Sequence, residues 1–139
     1  MIIPNLLVRD IAKSLAFYRD ELGFSVMFMI SADQQVLAAG QDGEAVFAIV
    51  VYEEAELMLQ RADSLAAELP DQFSADQAPA ASGTIYVRGY HPDQLPDAVD
   101  RGRVIKGPFM QWYGMKEIYL TDPDGYVICL GAAEGAAPT

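Results

Sequence analysis

The first third of the chain changes from a strand-like to a helix-like pattern of apolar positions. Residues Ile2 to Val8 form an apolar run of strand length. Beyond it, apolar residues recur at intervals of four, three and four: Ile11, Leu15, Tyr18 and Leu22. This spacing places one apolar stripe along a helix, with Asp10 placed as an N-cap and Gly23 as a left-handed C-terminal cap. The pattern predicts a strand and then a helix over about Ile11 to Leu22.

Further apolar segments, separated by turn-prone residues, are predicted to be strands: Phe24 to Ile30, Val36 to Ala39, Ala45 to Tyr52 and Glu56 to Gln60. Together with the first strand and helix they give a βαβββ unit, or close to it, over about residues 1–60. The composition then shifts to Ala, Asp, Gln and Pro. This shift predicts a linker over about residues 61–81, with a short helix in RADSLAAEL.

The second half begins the same order again over about residues 82–133. Its predicted elements are a strand, a short helical piece and two closing strands: Thr84 to Val87, Leu95 to Asp100, Lys116 to Thr121 and Tyr126 to Leu130. The segment Asn5 to Arg9 matches Thr84 to Arg88 at a constant offset, with Val and Arg identical. This match suggests an internal repeat.

Asp122-Pro123-Asp124-Gly125 separates the last two predicted strands. Proline at the second position and glycine at the fourth are the preferences of a type I turn. A catalytic role for the two aspartates needs a partner base or a metal, and no neighbour in the sequence supplies one. The segment therefore predicts a hairpin turn.

The charge balance limits the classes of partner. Nine Lys and Arg against twenty Asp and Glu give a net charge of −11, which repels phosphate backbones and anionic lipids but attracts cations. We therefore expect neither nucleic acid nor membrane as a partner. The single cysteine, Cys129, excludes an intrachain disulfide, and the N-terminus lacks a signal-peptide pattern. Both observations favour a cytoplasmic protein.

Three stretches in order, VRDIAKSLAFYRDELGF, AELMLQ and GMKEIYLTDPDGYVICLG, resemble the glyoxalase/bleomycin-resistance/dioxygenase superfamily, the vicinal oxygen chelate fold. The resemblance implies an α+β fold in a single domain over residues 1–139, with two βαβββ modules forming a curved mixed-sheet cup. It also implies a small-molecule ligand on the concave face and a homodimer.

Metal-dependent members of that superfamily hold a divalent ion with four His or Glu side chains. The positions that match the expected histidines are here Ile3 and Ser82, and the last-strand carboxylate is replaced by Cys129. Glu56 alone keeps its carboxylate. Because a hard divalent ion needs several oxygen or nitrogen donors, we predict no metal site and no cofactor.

The remaining chemical candidates have structural alternatives. His91 precedes Pro92 and is interpreted as an exposed or capping residue. Cys129 has apolar neighbours, which favour a buried thiol over a reactive thiolate. Glu56 is interpreted as a ligand contact, or as a weak candidate for a base if its surroundings are dry.

Gly107 to Met115 holds three aromatic residues and two methionines within nine positions. The segment is predicted to be a loop. Its apolar side chains could fill the core, line a pocket wall or form a dimer contact. Trp112 matches the tryptophan near the pocket wall of drug-binding relatives. The predicted ligand-binding set is Glu56, Tyr86, Phe109, Trp112, Tyr113 and Cys129.

These observations favour a metal-free member, closest to the bleomycin-resistance branch, that binds an apolar or cationic aromatic compound by sequestration. The alternatives are a metal-dependent lyase or dioxygenase, a metal-free isomerase with Glu56 as base, and an interaction module without a ligand.

Overall fold

The computed structural model describes residues 1–134. The chain divides into two compact units, one of residues 1–79 and one that begins at Ala80. The strands of the first unit are β1 Asn5–Val8, β2 Ser25–Ser31, β3 Ala45–Tyr52 and β4 Ala55–Arg61. Its α-helices are α1 Ile11–Leu15 and α2 Ala62–Glu68. The strands of the second unit are β5 Thr84–Arg88, β6 Val104–Met110, β7 Met115–Thr121 and β8 Val127–Ala133.

The first helix begins and ends as its sequence predicts. The Asp10 side chain accepts a hydrogen bond from the Lys13 backbone N–H, and Gly23 ends the helical segment with a φ of +86°. After Leu15 the helix widens into a π-helical stretch, Ala16–Glu21. The predicted apolar stripe is buried, because Ile11, Leu15, Tyr18 and Leu22 are all at most 1% exposed.

The sheet of the first unit has the strand order β1-β4-β3-β2. β1 pairs in parallel with β4, with Leu6 opposite Leu59, and the other two pairs are antiparallel. Parallel neighbours need a long crossover connection, which α1, β2 and β3 supply here. The helix α1 contacts β3 and β4.

The sheet of the second unit repeats this topology as β5-β8-β7-β6. Its first strand again pairs in parallel with its last, and Tyr86 lies opposite Cys129. The segments of the suggested repeat therefore occupy equivalent places, since both form the first strand of a mixed four-stranded sheet. The predicted α+β class with two βαβββ-type modules is confirmed. In the second unit two 3-10 turns, Pro92–Gln94 and Arg101–Arg103, take the place of the helix.

Three predictions of local structure are wrong. Val36 to Ala39 contributes only an isolated bridge between Ile30 and Val36. Leu95 to Asp100 is not helical, because Pro96 interrupts the pattern and the Asp100 side chain instead caps the following 3-10 turn through Gly102 N–H. The start of the aromatic segment is not a loop, since Gly107 to Met110 belongs to β6. Gly107 and Pro108 interrupt the apolar pattern of this strand in the sequence. Its pairing with β7 is irregular at the same positions.

The predicted hairpin turn at Asp122-Pro123-Asp124-Gly125 is confirmed. It joins β7 to β8, which pair antiparallel up to Thr121 opposite Val127. Asp122 is 3% exposed, and its Oδ1 accepts backbone N–H bonds from Asp124 and Tyr126, both at 2.9 Å. The carboxylate therefore holds the turn closed.

Within the described residues, none of the helices has both the length and the apolar composition needed to cross a membrane.

We expect Gly125→Val to destabilise the protein by about 1 to 3 kcal/mol, because Gly125 has a φ of +87° that a β-branched residue adopts only with strain. Asp122→Asn keeps an acceptor oxygen and should cost less than about 1 kcal/mol. Chemical denaturation measures both changes. Gly83→Val is the matched control, since a Cβ there meets nothing within 4 Å. Equal losses from Gly125→Val and Asp122→Asn would show that the carboxylate charge, rather than the glycine, fixes the turn.

Candidate functional site

The first unit contains a cavity of about 920 Å³ on one face of its sheet and beside α2. All four strands and α2 contribute to its lining, as does the segment that follows β2. The lining residues are Asn5, Ile30, Ser31, Ala32, Gln34, Val46, Phe47, Met58, Gln60, Asp63, Ser64, Ala67 and Glu68.

The polar wall of the cavity is organised by Gln60, which is 6% exposed. The Asn5 Nδ2 donates to Gln60 Oε1 at 2.9 Å. The Gln60 Nε2 donates to Ser64 Oγ at 3.0 Å and to Glu68 Oε2 at 3.1 Å. The amide thus links the first strand, the last strand and α2, and its side chain is fixed by partners on both sides.

The other wall is apolar. Phe47 lies opposite Gln60 across β3 and β4, and Ile30 lies opposite Phe47 across β2 and β3. Met58 is two residues before Gln60, so it faces the same side of the sheet. Aromatic, aliphatic and thioether groups therefore adjoin the amide within one cavity.

Two carboxylates line the cavity, and only one of them is neutralised. The Arg61 guanidinium donates to both oxygens of Asp63, at 2.7 and 2.8 Å, and this lowers the pKa of Asp63. Glu68 bonds to the uncharged Gln60 amide. In the described part of the chain no cation pairs with Glu68, so the cavity carries a net negative charge.

The second unit presents a different group of side chains on one face of its sheet. Tyr86, Cys129 and Tyr119 form one row across β5, β8 and β7. The next row consists of Gly131, Glu117 and Phe109 across β8, β7 and β6. Since side chains two residues apart in a strand share a face, both rows project to the same side. The opposite face is apolar, with Ile118, Leu120, Ile128 and Leu130 all at most 3% exposed.

Glu117 is the centre of this face and is 0% exposed. Its Oε2 accepts hydrogen bonds from the Tyr86 hydroxyl at 2.7 Å and from the Tyr113 hydroxyl at 2.5 Å. Its Oε1 is also buried and has no hydrogen bond of normal geometry from a described residue. A buried acceptor without a donor costs free energy.

The ionisation of this group follows from its partners. Burial opposes the charge on Glu117, but bonds from Tyr113 and Tyr86, with smaller contributions from Gln111 and Lys106, outweigh it and lower the pKa of the carboxyl. Burial and the bond to Glu117 raise the pKa of Tyr86 well above its ordinary value. The bond to Glu117 and burial raise the pKa of Tyr113 to about 12. At neutral pH the group is one carboxylate held by two protonated phenols.

Gly131 makes the contact between Tyr86 and Glu117 possible. It lies on β8, between the two strands that carry these residues. A Cβ at Gly131 would clash with the Tyr86 hydroxyl and lie 2.7 Å from Tyr86 Cζ. Without a side chain at Gly131, the tyrosine reaches across β8 to the carboxylate.

Four residues of the predicted ligand-binding set lie together around this face: Tyr86, Phe109, Tyr113 and Cys129. Cys129 is a buried free thiol, and burial, followed by the Glu117 charge, raises its pKa to about 11. This confirms the expectation of a buried thiol. Trp112 is 80% exposed and meets the Tyr113 ring edge-on at 5.3 Å.

Within their own units, Glu56 and His91 belong to neither the lining of the cavity nor the hydrogen-bonded group around Glu117. Glu56 is half-buried near the start of β4, opposite Val51, and does not line the cavity of the first unit. His91 caps the 3-10 turn that follows it, because its Nδ1 accepts the Asp93 N–H at 3.0 Å. The predicted capping role of His91 is confirmed. The His91 Nε2 forms a hydrogen bond with the Glu134 carboxylate at 2.8 Å. The Lys116 ammonium donates a hydrogen bond to Asp93 Oδ1, also at 2.8 Å.

Sequence reasoning missed Glu117 and Gln60, which organise the two groups. The signal for Glu117 was present, since its alternation with Tyr119 in the strand KEIYL places a carboxylate on the same face as an aromatic ring. Nothing local marks Gln60, because its importance comes from Asn5, a partner 55 residues away in the chain.

A family model described as Glyoxalase/Bleomycin resistance protein/Dioxygenase superfamily matches residues 3–130. The chain belongs to this superfamily. A comparison of this chain with curated protein sequences found no significant match.

Solved structures share the fold of this glyoxalase-superfamily chain. A glyoxalase/bleomycin resistance protein/dioxygenase family enzyme from Burkholderia phytofirmans PsJN is 18% identical, with a TM-score of 0.67 over 95% of this chain and 97% of that chain. A superfamily member from Sphaerobacter thermophilus DSM 20745 is 22% identical, with a TM-score of 0.62 over 95% and 96%. A protein of unknown function from Agrobacterium tumefaciens str. C58 is 22% identical, with a TM-score of 0.69 over 96% and 94%.

The residues at the metal-ligand positions of the glyoxalase superfamily do not fit a divalent ion. Cys129, which replaces the last-strand carboxylate, is a buried thiol without an oxygen donor in its side chain. Ser82 is exposed and Ile3 has no donor atom in its side chain. Glu56 is therefore the only ordinary ligand among the four positions.

We expect Gly131→Ala to displace the Tyr86 ring and to break its bond to Glu117. Losing a hydrogen bond to a buried charge should cost about 1.5 to 3 kcal/mol, measured by chemical denaturation. Gly43→Ala is the matched control, because a Cβ at Gly43 meets nothing within 4 Å. If Gly131→Ala and Gly43→Ala have the same small effect, the bond between Tyr86 and Glu117 is not a significant part of the stability.

Proposed function

We propose that this superfamily member binds an apolar or cationic aromatic compound in the cavity of its first unit, without a metal ion, by sequestration as in the bleomycin-resistance branch. The observation that carries this proposal is the cavity of about 920 Å³, which combines an apolar wall, a fixed amide and one carboxylate without a cationic partner. It lies within the range of about 300 to 1,000 Å³ typical of small-molecule sites.

The lining supports an aromatic ligand. Phe47 and Met58 offer the flat and polarisable surfaces that aromatic compounds contact. The Phe28 ring lies 6.2 Å from the Phe47 ring and supports it from the same face of the sheet. Gln60 is held by Asn5 on one side and by α2 on the other, so the polar wall needs little rearrangement to receive a ligand.

The charge of the site supports a cationic ligand. Glu68 lines the cavity without a cation, whereas Asp63 is neutralised by Arg61. The net charge of −11 adds a long-range field of the same sign, which raises the local concentration of cations at low salt.

The donor chemistry supports binding without a metal, since Ile3, Ser82 and the buried thiol of Cys129 stand at three of the four ligand positions. An enzyme with Glu56 as base is the less favoured alternative, because Glu56 does not line the cavity. Sequestration requires affinity for the ligand but no chemical reaction. The apolar wall, the Gln60 amide and the Glu68 carboxylate of the cavity are groups that can provide this affinity.

The test uses benzyltrimethylammonium as the probe, titrated calorimetrically at low salt. We expect saturable binding that weakens as salt increases. Phe47→Leu should weaken binding roughly two- to thirtyfold through loss of the ring under the cation. Glu68→Gln should weaken it by up to about fivefold, because exposed charge pairs contribute about 0.2 to 1 kcal/mol.

Glu54→Gln is the matched charge control, because Glu54 is exposed in the turn between β3 and β4 and does not line the cavity. It should leave the affinity nearly unchanged. Absence of binding, or equal losses from Glu54→Gln and Glu68→Gln, would contradict a cation site in this cavity.

A further inference from the structure

We propose that His91, Asp93 and Glu134 form an exchangeable binding site for a divalent transition-metal ion of the Zn²⁺ class, at one edge of the second unit. One donor atom from each of the three side chains lies within 4.8 Å of the other two. None of the three stands at a metal-ligand position of the superfamily, and none lines the cavity of the first unit. The proposal is therefore independent of the proposed small-molecule site.

The strand pairing of the second unit brings these donors together. Since β5 and β8 run parallel, the segments that follow them leave the sheet at the same edge. Asp93 lies in the 3-10 turn after β5, and Glu134 directly follows β8. The Glu134 N–H donates to the Gly114 carbonyl at 3.0 Å, and the His91 carbonyl accepts the Gln94 N–H at 2.9 Å. Both segments that carry the donors are thus held by backbone hydrogen bonds.

The types of donor select the ion. The His91 Nε2 lies 2.8 Å from Glu134 Oε2, and the ligands of a tetrahedral zinc ion are about 3.4 Å apart. An imidazole nitrogen suits Zn²⁺ or Ni²⁺, whereas Mg²⁺ and Ca²⁺ prefer oxygen ligands alone. Asp93 and Glu134 are exposed, so their carboxylates can rotate to complete the geometry and water can fill the remaining position.

A cation already lies beside both carboxylates. The Lys116 ammonium is 2.8 Å from Asp93 Oδ1 and 3.9 Å from Glu134 Oε2. This position favours positive charge, because two carboxylates face one ammonium. A divalent ion displaces the ammonium, brings twice its charge to the carboxylates and also binds the imidazole nitrogen. Lys116 is therefore a competitor of the metal ion rather than a ligand.

Asp93 can accept the ring proton that the metal ion displaces. The His91 Nδ1 accepts the Asp93 N–H at 3.0 Å, so the neutral ring carries its proton on Nε2. An ion at Nε2 requires this proton on Nδ1, where Asp93 Oδ2 lies 3.7 Å away. Histidine ligands commonly donate their other ring N–H to a carboxylate in this way. The exchange breaks the backbone cap, so the site binds its ion more weakly than a structural zinc site and releases it on dialysis.

The test titrates zinc chloride calorimetrically into untagged, chelator-treated protein in a buffer that does not coordinate metals. We expect saturation at one ion per chain and a melting temperature that rises with zinc concentration, as for any ligand of the folded state. His91→Asn keeps a side-chain acceptor for the Asp93 N–H but lacks Nε2. It should weaken zinc binding at least about tenfold, the minimum for loss of a direct ligand.

Lys116→Gln tests the position of the ion. Removing a competing charge about 4 Å from the carboxylates should tighten zinc binding by about fivefold or more. Asp97→Asn is the matched charge control, because Asp97 is exposed in the same connection but is not among the three donors. It should leave the affinity nearly unchanged, as should Cys129→Ser.

Melts without zinc establish that the variants are folded. If His91→Asn is not, Glu134→Gln replaces it and should also weaken binding. Several results overturn the proposal: no saturable binding, equal losses from His91→Asn and Asp97→Asn, or an affinity that Lys116→Gln fails to raise. Loss of binding in Cys129→Ser alone would place the ion at the superfamily positions instead.

Discussion

The parallel pairing of the first and last strand of each unit is the constraint on which both candidate sites depend. It places residues from the two ends of each unit side by side. In the first unit, β1 with Asn5 lies beside β4 with Gln60, and in the second unit Tyr86 of β5 lies opposite Cys129 of β8. The chain between them must complete a crossover before either pair can form. A shift of one residue in this register would turn each site residue to the other face of its sheet, so the register that forms the core also forms the sites.

The two units use this constraint for different chemistry. In the first, the pairing fixes an amide, and α2 adds the hydroxyl and the carboxylate that bond to it. In the second, the pairing brings a tyrosine to a buried carboxylate across a glycine. The first arrangement leaves an open cavity with a negative charge. The second leaves a closed face on which one oxygen of Glu117 is unsatisfied.

The sequence predicted the elements with strong local signals. The cap at Asp10, the stripe of α1, the bounds of β3 and the turn at Gly125 all follow from periodicity and turn chemistry. β6 was missed because Gly107 and Pro108 interrupt its pattern, although β7 still pairs with it. The alternation with Tyr119 indicates the face on which Glu117 lies, but the bonding partners of Glu117 and Gln60 could not be predicted. These partners, Tyr86 and Asn5, are distant in the chain and reach them only through the strand register.

The proposal that this superfamily member binds small molecules without a metal ion rests on Ile3, Ser82 and the buried Cys129 thiol, which stand at three of the four ligand positions. Elemental analysis of the purified, dialysed protein, combined with calorimetric titration of benzyltrimethylammonium with and without a chelator, tests it most directly. The account predicts no stoichiometric divalent metal and the same affinity in both titrations. Stoichiometric nickel, zinc, iron or manganese that survives dialysis, together with binding that the chelator abolishes, would contradict it.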